Sequence, residues 1–433
     1  MARSGQSAAL ALVEMGADVT ATDLRCDVPL PFNPSDKGIK CRFGEPPDYF
    51  VGDFELVVIS PSISVYSSFI VKAGELCIPV WSEVELAYRL CPCPMVAITG
   101  TNGKTTVTTL VGEILKRHNP GAVVAGNIGI PLTGLVTELT ESDIAVAEIS
   151  SFQLETIAAF KPAVCAVLNV TPDHLDRHHT MEVYSAAKAR IFENQRQNDL
   201  TVLNYDNHVT KKMKPPGRVI FFSARERLEQ GVFARGGKVF VSDVFGLGSD
   251  TPVFDLSETR VMTENALAAV ALSLAANAPL SLIQDVLRDF KGVPHRLEFV
   301  ASINGVDFYN DSKATNVDAA IKGLEYFSAP LVLIAGGYDK KTDFAPWVKC
   351  FEHSVSHLIL IGQTAETIAS LCDEVGFNKY ETAESLINAV DRAKALAQHG
   401  QTVLLSPACA SFDMFADFEE RGDLFKKYVN EAT

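Results

Sequence analysis

Short apolar runs alternate along this chain with longer stretches in which apolar residues return every three or four positions. The runs ADVTATD (17–23), ELVVIS (55–60), VAIT (96–99), DIAVAEIS (143–150), PAVCAVLNVTPDH (162–174), LVLIAGG (331–337), HLILIG (357–362) and TVLLSPA (402–408) read as strands, the last three as short buried ones. The intervening stretches, such as Gly5 to Gly16 and VTTLVGEILKRH (107–118), read as amphipathic helices. Strand and helix in turn are the signature of α/β layers built on mainly parallel sheets. Breaks at Cys91-Pro92-Cys93-Pro94 and at Lys291-Gly292-Val293-Pro294 divide the chain into sections 1–86, 87–291 and 292–433. No repeat, low-complexity tract or heptad is evident.

Bulk properties narrow the class. A chain of 433 residues exceeds one ordinary domain, at about 150 residues per domain. The net charge of -15 argues against a nucleic-acid binder but leaves room for anionic ligands at local sites. The nine cysteines lack metal-like or framework spacing and read as reduced core thiols. The start of the chain lacks the shape of a signal peptide, and no apolar run reaches the ~18 residues that span a bilayer. A cytoplasmic monomer, without membrane insertion, is the expectation. The chain opens at what should already be a glycine turn, Met1 to Gly5, so the strand expected before it is missing. A misassigned start or a trimmed chain is the expected reason, ahead of a different packing of the first section.

The chemistry concentrates at residues 96–118. VAIT, then GTNGKTT, then a helix is the strand–loop–helix order that a phosphate-binding loop needs, although Ile98 stands where the standard loop has its first glycine. Gly100 and Gly103 allow backbone N–H groups to approach phosphate, and the helix N-terminus adds partial positive charge. Lys104 would bridge β and γ phosphates and the Thr105 hydroxyl would ligate magnesium. Two further strands end at Glu148 and at Asp173-His174, and ligands of open parallel sheets lie beyond the carboxyl ends of strands. Thr105, Glu148 and His174 are therefore expected to converge on a magnesium site. His178 and His179 read as structural or surface residues, and Lys188 as an exposed helix lysine.

GTNGKTT, EISSFQLET, NVTPDHLDRH, PHRLE and NDSKATN together resemble the Mur ligases, ATP-dependent amide-bond formers of peptidoglycan synthesis. The likeness runs from the first residues to the last, and the shortened loop at Ile98 is that family's form. GGYDKKTDF (336–344) and LSPACASFDMFADFEERG (405–422) resemble the branch that adds D-glutamate to UDP-N-acetylmuramoyl-L-alanine through an acyl phosphate. The resemblance implies three domains: a Rossmann-like one for the UDP substrate, a central P-loop ATPase, and a Rossmann-like C-terminal one that closes over ATP.

It also implies roles, residue by residue. Arg3, Ser4, Asp23, Arg25, Ser60 and Asn127 would meet the UDP substrate. Gly100, Thr101, Asn102, Gly103, Lys104, Thr105, Thr106, Asn265, Arg296, Asp311 and Lys313 would bind ATP. Two magnesium ions would be held by Thr105, Glu148, His174 and Lys188, the last carbamylated, which turns an ammonium into an anionic oxygen ligand. Lys104, Glu148, His174 and Lys188 would be catalytic, with His174 a candidate base for the incoming amine. Thr315, Lys340, Ser411 and Phe418 would form the D-glutamate pocket, where a dicarboxylate suits a fixed cation at Lys340. The chain departs from the family at Val261-Met262, where a His-Asn pair is usual, and at Ser62, where glycine is usual.

Overall fold

A computed structural model describes residues 1–242, 245–246, 251–340 and 342–431, so Lys341 of the GGYDKKTDF segment lies outside the described residues. Met1–Val170 with Arg177–Phe290 make one compact unit, and Thr171–Asp176 with Lys291–Thr433 make a second.

The first unit is organised on a nine-stranded sheet. Its order is Ala122–Gly126, Ile144–Glu148, Met95–Thr99, Val164–Val167, Leu200–Asn204, Arg218–Ser223, Gly231–Arg235, Lys238–Val241 and Pro252–Asp255. The first seven run parallel and the last two antiparallel. The Met95–Thr99 strand is buried at every position, which is why it reads as a continuous apolar run and not as an alternating one. The helix Lys104–His118 buries Val107, Leu110, Val111, Ile114 and Leu115 completely and turns Lys116 and Arg117 to solvent. At roughly 2 kcal/mol for each fully buried aliphatic side chain, that face fixes the helix on the sheet.

Residues of the first section carry two separate parallel pairs, Val19–Asp23 with Ile39–Phe43 and Val57–Ile59 with Val80–Ser82, beside the helix Arg3–Glu14. The section is tied to the nine-stranded sheet by buried carboxylates. Glu85 is fully buried and accepts from the backbone N–H groups of Ala158, Ala159 and Phe160. Glu83 accepts from the Thr133 amide at 2.7 Å and its hydroxyl at 2.8 Å.

The second unit is a six-stranded sheet ordered Glu298–Ile303, Val306–Asn310, Thr402–Leu405, Leu331–Ala335, Val355–Leu360 and Tyr380–Thr382. The first pair is an antiparallel hairpin closed at Asn304-Gly305, both with positive φ (51° and 76°), the backbone that a tight Asn-Gly turn requires. The other strands are parallel. Trp347, Phe344 and Phe351 pack on one face, and Phe308, Phe425 and Ile334 on the other.

The sequence reading carried the strand that starts at Pro162 as far as His174; the strand spans only Val164–Val167. Beyond it Leu168 N–H still bonds the Thr99 carbonyl at 2.9 Å, but the Asn169 carbonyl then takes the Thr101 amide. The backbone groups of 168–169 thus serve the loop after Met95–Thr99, and the apolar run outlasts the ladder.

Candidate active site

In a parallel sheet the carboxyl ends of strands share one edge. Ile98 pairs with Glu148, Thr99 with Val167 and Gly126 with Glu148, so the phosphate-loop candidate and the acidic candidate emerge side by side. The loop Gly100–Gly103 is anchored from the next strand's exit. Asn169 Oδ1 accepts from the Asn102 amide at 2.8 Å, and Asn169 Nδ2 donates to the Asn102 carbonyl at 3.1 Å. The sequence reading did not single out Asn169, because an asparagine after a strand is ordinarily a turn residue. Gly103, the residue before the helix, has φ 84°, and a Cβ there would lie 2.4 Å from Asn265 Oδ1. Asn265 is thus drawn against the loop.

Two lysines meet at this loop. Lys104 Nζ donates to the carbonyls of Gly100 and Thr101, both at 2.9 Å. Lys188 Nζ also donates to the Gly100 carbonyl at 2.9 Å and sits 4.5 Å from the centre of the Tyr184 ring. Lys188 is 1% exposed. Its reading as a solvated helix lysine is therefore corrected: the helix Met181–Ala189 turns it inward, beside Tyr184, whose hydroxyl lies 3.2 Å from Thr101 Oγ1.

Glu148 is 1% exposed; its Oε1 accepts from Asn127 Nδ2 at 2.8 Å, and its Oε2 is buried without a hydrogen-bond partner among the described residues. Thr99 Oγ1, at the end of the neighbouring strand, and Thr106 Oγ1, in the first turn of the helix Lys104–His118, are likewise buried without a partner among the described residues. Buried polar atoms are nearly always satisfied, so the free oxygen of Glu148 and these hydroxyls close to the loop in sequence ask for a ligand. Carboxylate and hydroxyl oxygens are the donors a hard cation such as magnesium takes, and these residues fit it. Among the described residues no cluster of three His, Cys, Asp or Glu side chains forms a metal site by itself.

On the first section, Arg3 and Ser4 open the helix Arg3–Glu14, and a Cβ on Gly5 would lie 3.2 Å from the Ser60 hydroxyl, so these candidates come together. Asp23 and Arg25 form a two-pronged pair at 3.0 and 3.1 Å, and Arg25 beside it holds the Asp23 carboxyl well below the usual carboxylate range. The loop after Ser60 is held by Arg177, whose guanidinium donates to the carbonyls of Pro61 (2.7 Å) and Ile63 (2.8 Å) while paired with Glu155. His178 is buried between Phe152 and Tyr184 and bonds Ser151, in keeping with a structural role; His179 is exposed.

His174 belongs to the second unit, in the short Thr171–Asp176 segment. Its backbone is left-handed (φ 53°), and its ring Nε2 lies 3.6 Å from Asp173 Oδ2. Asp173 also receives Asn316 Nδ2 at 3.2 Å and has Lys340 Nζ at 3.8 Å. Asp173 and Asn316 were not assigned roles from sequence, although both lie inside the quoted motifs. Asp311 is fully buried, and burial raises its carboxyl to about 6 against the pull of Arg296 and a Ser406 hydroxyl at 3.0 Å. Lys313 Nζ stands 5.0 Å from the centre of the Phe418 ring, and the Thr315 amide bonds the Lys313 carbonyl. Ser411 is 2% exposed, on the loop after Thr402–Leu405.

A loop of phosphate-binding pattern on a parallel sheet, with an incompletely satisfied acid beside it, is the arrangement that nucleotide-dependent enzymes use. Residues 98–272 match the model of the Mur ligase middle domain and 295–409 that of the Mur ligase glutamate ligase domain. The chain belongs to the Mur ligase family. It is 47% identical over 401 residues to the UDP-N-acetylmuramoylalanine–D-glutamate ligase of Thermoanaerobacter sp. (strain X514), covering 91% of this chain and 88% of that protein. The protein of that name from Caldanaerobacter subterraneus subsp. tengcongensis is 44% identical, with 98% and 96% covered. Among solved structures, UDP-N-acetylmuramate-alanine ligase from Thermotoga maritima superposes with a TM-score of 0.60 at 18% identity, covering 98% of this chain and 96% of that one, a likeness of fold. No helix among the described residues is long and apolar enough to cross a membrane.

Proposed function

We propose that this chain joins D-glutamate to UDP-N-acetylmuramoyl-L-alanine at the expense of ATP, through an acyl phosphate, giving ADP and phosphate. The acceptor and donor are those in the names of the relatives, which match nearly the whole chain. The observation that carries the chemistry is the sheet edge where the loop ending in Lys104 stands beside the buried, half-satisfied Glu148. Lys104 and the loop amides would hold the γ-phosphoryl group in line with the L-alanyl carboxylate, a reaction governed by positioning and charge neutralisation. Bound magnesium, with two ions expected, would neutralise phosphate charge; Thr105, Glu148, His174 and a carbamylated Lys188 are the residues proposed to hold it.

The three-domain division, 1–86 for the UDP substrate, 87–291 for ATP and 292–433 for D-glutamate, is part of the same reading. Arg3, Ser4, Asp23, Arg25, Ser60 and Asn127 take the first role. Asn265, Arg296, Asp311 and Lys313 join the loop around ATP. Thr315, Lys340, Ser411 and Phe418 receive the amino acid, whose amine attacks the acyl phosphate, and phosphate leaves as the amide forms. His174 is the candidate to accept the amine proton. Mass spectrometry of a reaction holding ATP, magnesium, UDP-N-acetylmuramoyl-L-alanine and D-glutamate tests the proposal: the expected product has the summed mass of the two acids less one water. Recovery of unchanged UDP substrate would contradict it.

A further inference from the structure

Arg421 is one of the largest fully buried side chains of the molecule, at 0% exposed, although arginine is almost never fully buried without a partner anion. It lies one turn into the helix Phe418–Asn430. Its Nε donates to Ser312 Oγ at 2.9 Å, its Nη2 to the Ser312 and Cys409 carbonyls at 2.8 and 3.1 Å, and its Nη1 to the Ala410 carbonyl at 3.2 Å. All four acceptors are neutral. Asp413 and the Cys409 thiol favour its charge only at a distance. Burial lowers its pKa to about 10, which leaves it a cation at neutral pH.

The acceptors place this cation behind every segment assigned to the amino-acid pocket. Ser312 lies between Asp311 and Lys313, three residues before Thr315; its hydroxyl in turn donates to the Phe418 carbonyl at 2.8 Å. Cys409 and Ala410 directly precede Ser411. Gly337, three residues before Lys340, packs so closely that a Cβ there would be 3.2 Å from Arg421 Nη1. A planar fork with five donors can hold several carbonyls at fixed angles, which an ammonium cannot. A charge in a buried, weakly screened position also acts over a longer range than one in water.

We propose that Arg421 is a positioning residue for the amino-acid acceptor: it fixes the segments that carry Thr315, Ser411 and Phe418 and supplies positive potential that favours a dicarboxylate. This rests on the D-glutamate reading of the pocket. The test uses the full chain with ATP and UDP-N-acetylmuramoyl-L-alanine saturating, and follows phosphate release against D-glutamate concentration. Arg421→Met is expected to raise the D-glutamate KM at least tenfold while the KM values for ATP and the UDP substrate change less than threefold. Arg421→Lys keeps charge without the fork and is expected to fall between Met and wild type. Equal rises in all three KM values, or an unchanged D-glutamate KM, would overturn the proposal. If Arg421→Met does not fold by its thermal melt, Ser312→Ala, which removes one acceptor, is expected to raise the D-glutamate KM selectively, and no selective rise in that variant would overturn it. A wild-type protein whose phosphate release ignores D-glutamate would sink the pocket reading itself, whereas a D-glutamate-dependent wild type with unselective variants would sink only the role of Arg421.

Discussion

The strands Met95–Thr99 and Leu331–Ala335 are each followed by a pair of glycines, and the two pairs are put to different uses. After Met95–Thr99, Gly103 adopts φ 84° and turns the chain into a helix; what crowds it is the end of a side chain, Asn265 Oδ1. After Leu331–Ala335, Gly337 adopts φ 146° and lies under backbone, where a Cβ would be 2.4 Å from the Ala410 carbonyl. The first glycine starts the helix Lys104–His118, and the N-terminus of a helix suits an anion. The second lets three loops pack around the buried Arg421. One region is a cradle made of backbone, and the other is a scaffold that aims side chains.

The contrast breaks most sharply at Lys104. Lys104→Ala is expected to lower the rate of phosphate release by about 10³-fold, the scale of a lost charge at a transition state, with thermal stability nearly unchanged. A rate within tenfold of wild type would remove Lys104 from the chemistry.

The second region should instead reveal itself in a pH dependence of stability. Asp311 titrates near 6 in the folded chain against an ordinary 3.8, because burial favours its neutral form. The sign follows from which state holds the proton. Between those values the folded chain keeps the proton and the unfolded chain loses it, so stability is full below about pH 4 and falls as pH rises to about 6. The loss amounts to about 3 kcal/mol. Urea unfolding of wild type and Asp311→Asn at pH 4 and pH 6 measures it: the difference between the two proteins should shift toward the variant as pH rises, and a constant difference contradicts the assignment.

The glycines themselves separate the regions. Gly337→Ala meets backbone in a conformation that L residues avoid, and should lower unfolding free energy by about 2 kcal/mol or more. Gly103→Ala meets a side chain that can turn aside; it should cost about 1 kcal/mol of strain, with the ATP KM rising several-fold as Asn265 is displaced. Equal stability losses with no change in ATP KM would erase the distinction. Smallest is the expected effect of Asn169→Ala, which removes two hydrogen bonds to Asn102: about 1–2 kcal/mol of stability and a modest rise in ATP KM, read by denaturant titration and initial rates.

What was legible in the sequence divides along the same line. The cradle could be read because strand, glycine loop and helix are contiguous, so VAIT, Gly100, Gly103, Lys104 and Thr105 announce themselves within a few residues. The LVLIAGG, HLILIG and TVLLSPA strands were equally plain, since buried parallel strands leave unbroken apolar runs. Lys188 was not, because its burial depends on Gly100, which is distant in the chain and meets it only in the fold. Arg421 was invisible for the same reason: a charged residue in an amphipathic helix reads as solvated until its partners at Ser312 and Cys409 are known. The strand that ended at Val167 and not at His174 shows the converse, an apolar run whose last residues serve a loop. The Asn304-Gly305 turn carried a local signal and was passed over, a miss of turn chemistry and not of tertiary context.

The most direct test of the central claim is phosphate release from ATP in the presence of UDP-N-acetylmuramoyl-L-alanine and bicarbonate, compared for D-glutamate, L-glutamate and no amino acid. The account predicts release that requires both the UDP substrate and D-glutamate. Release that proceeds equally without an amino acid, or equally well with the L enantiomer, would contradict it.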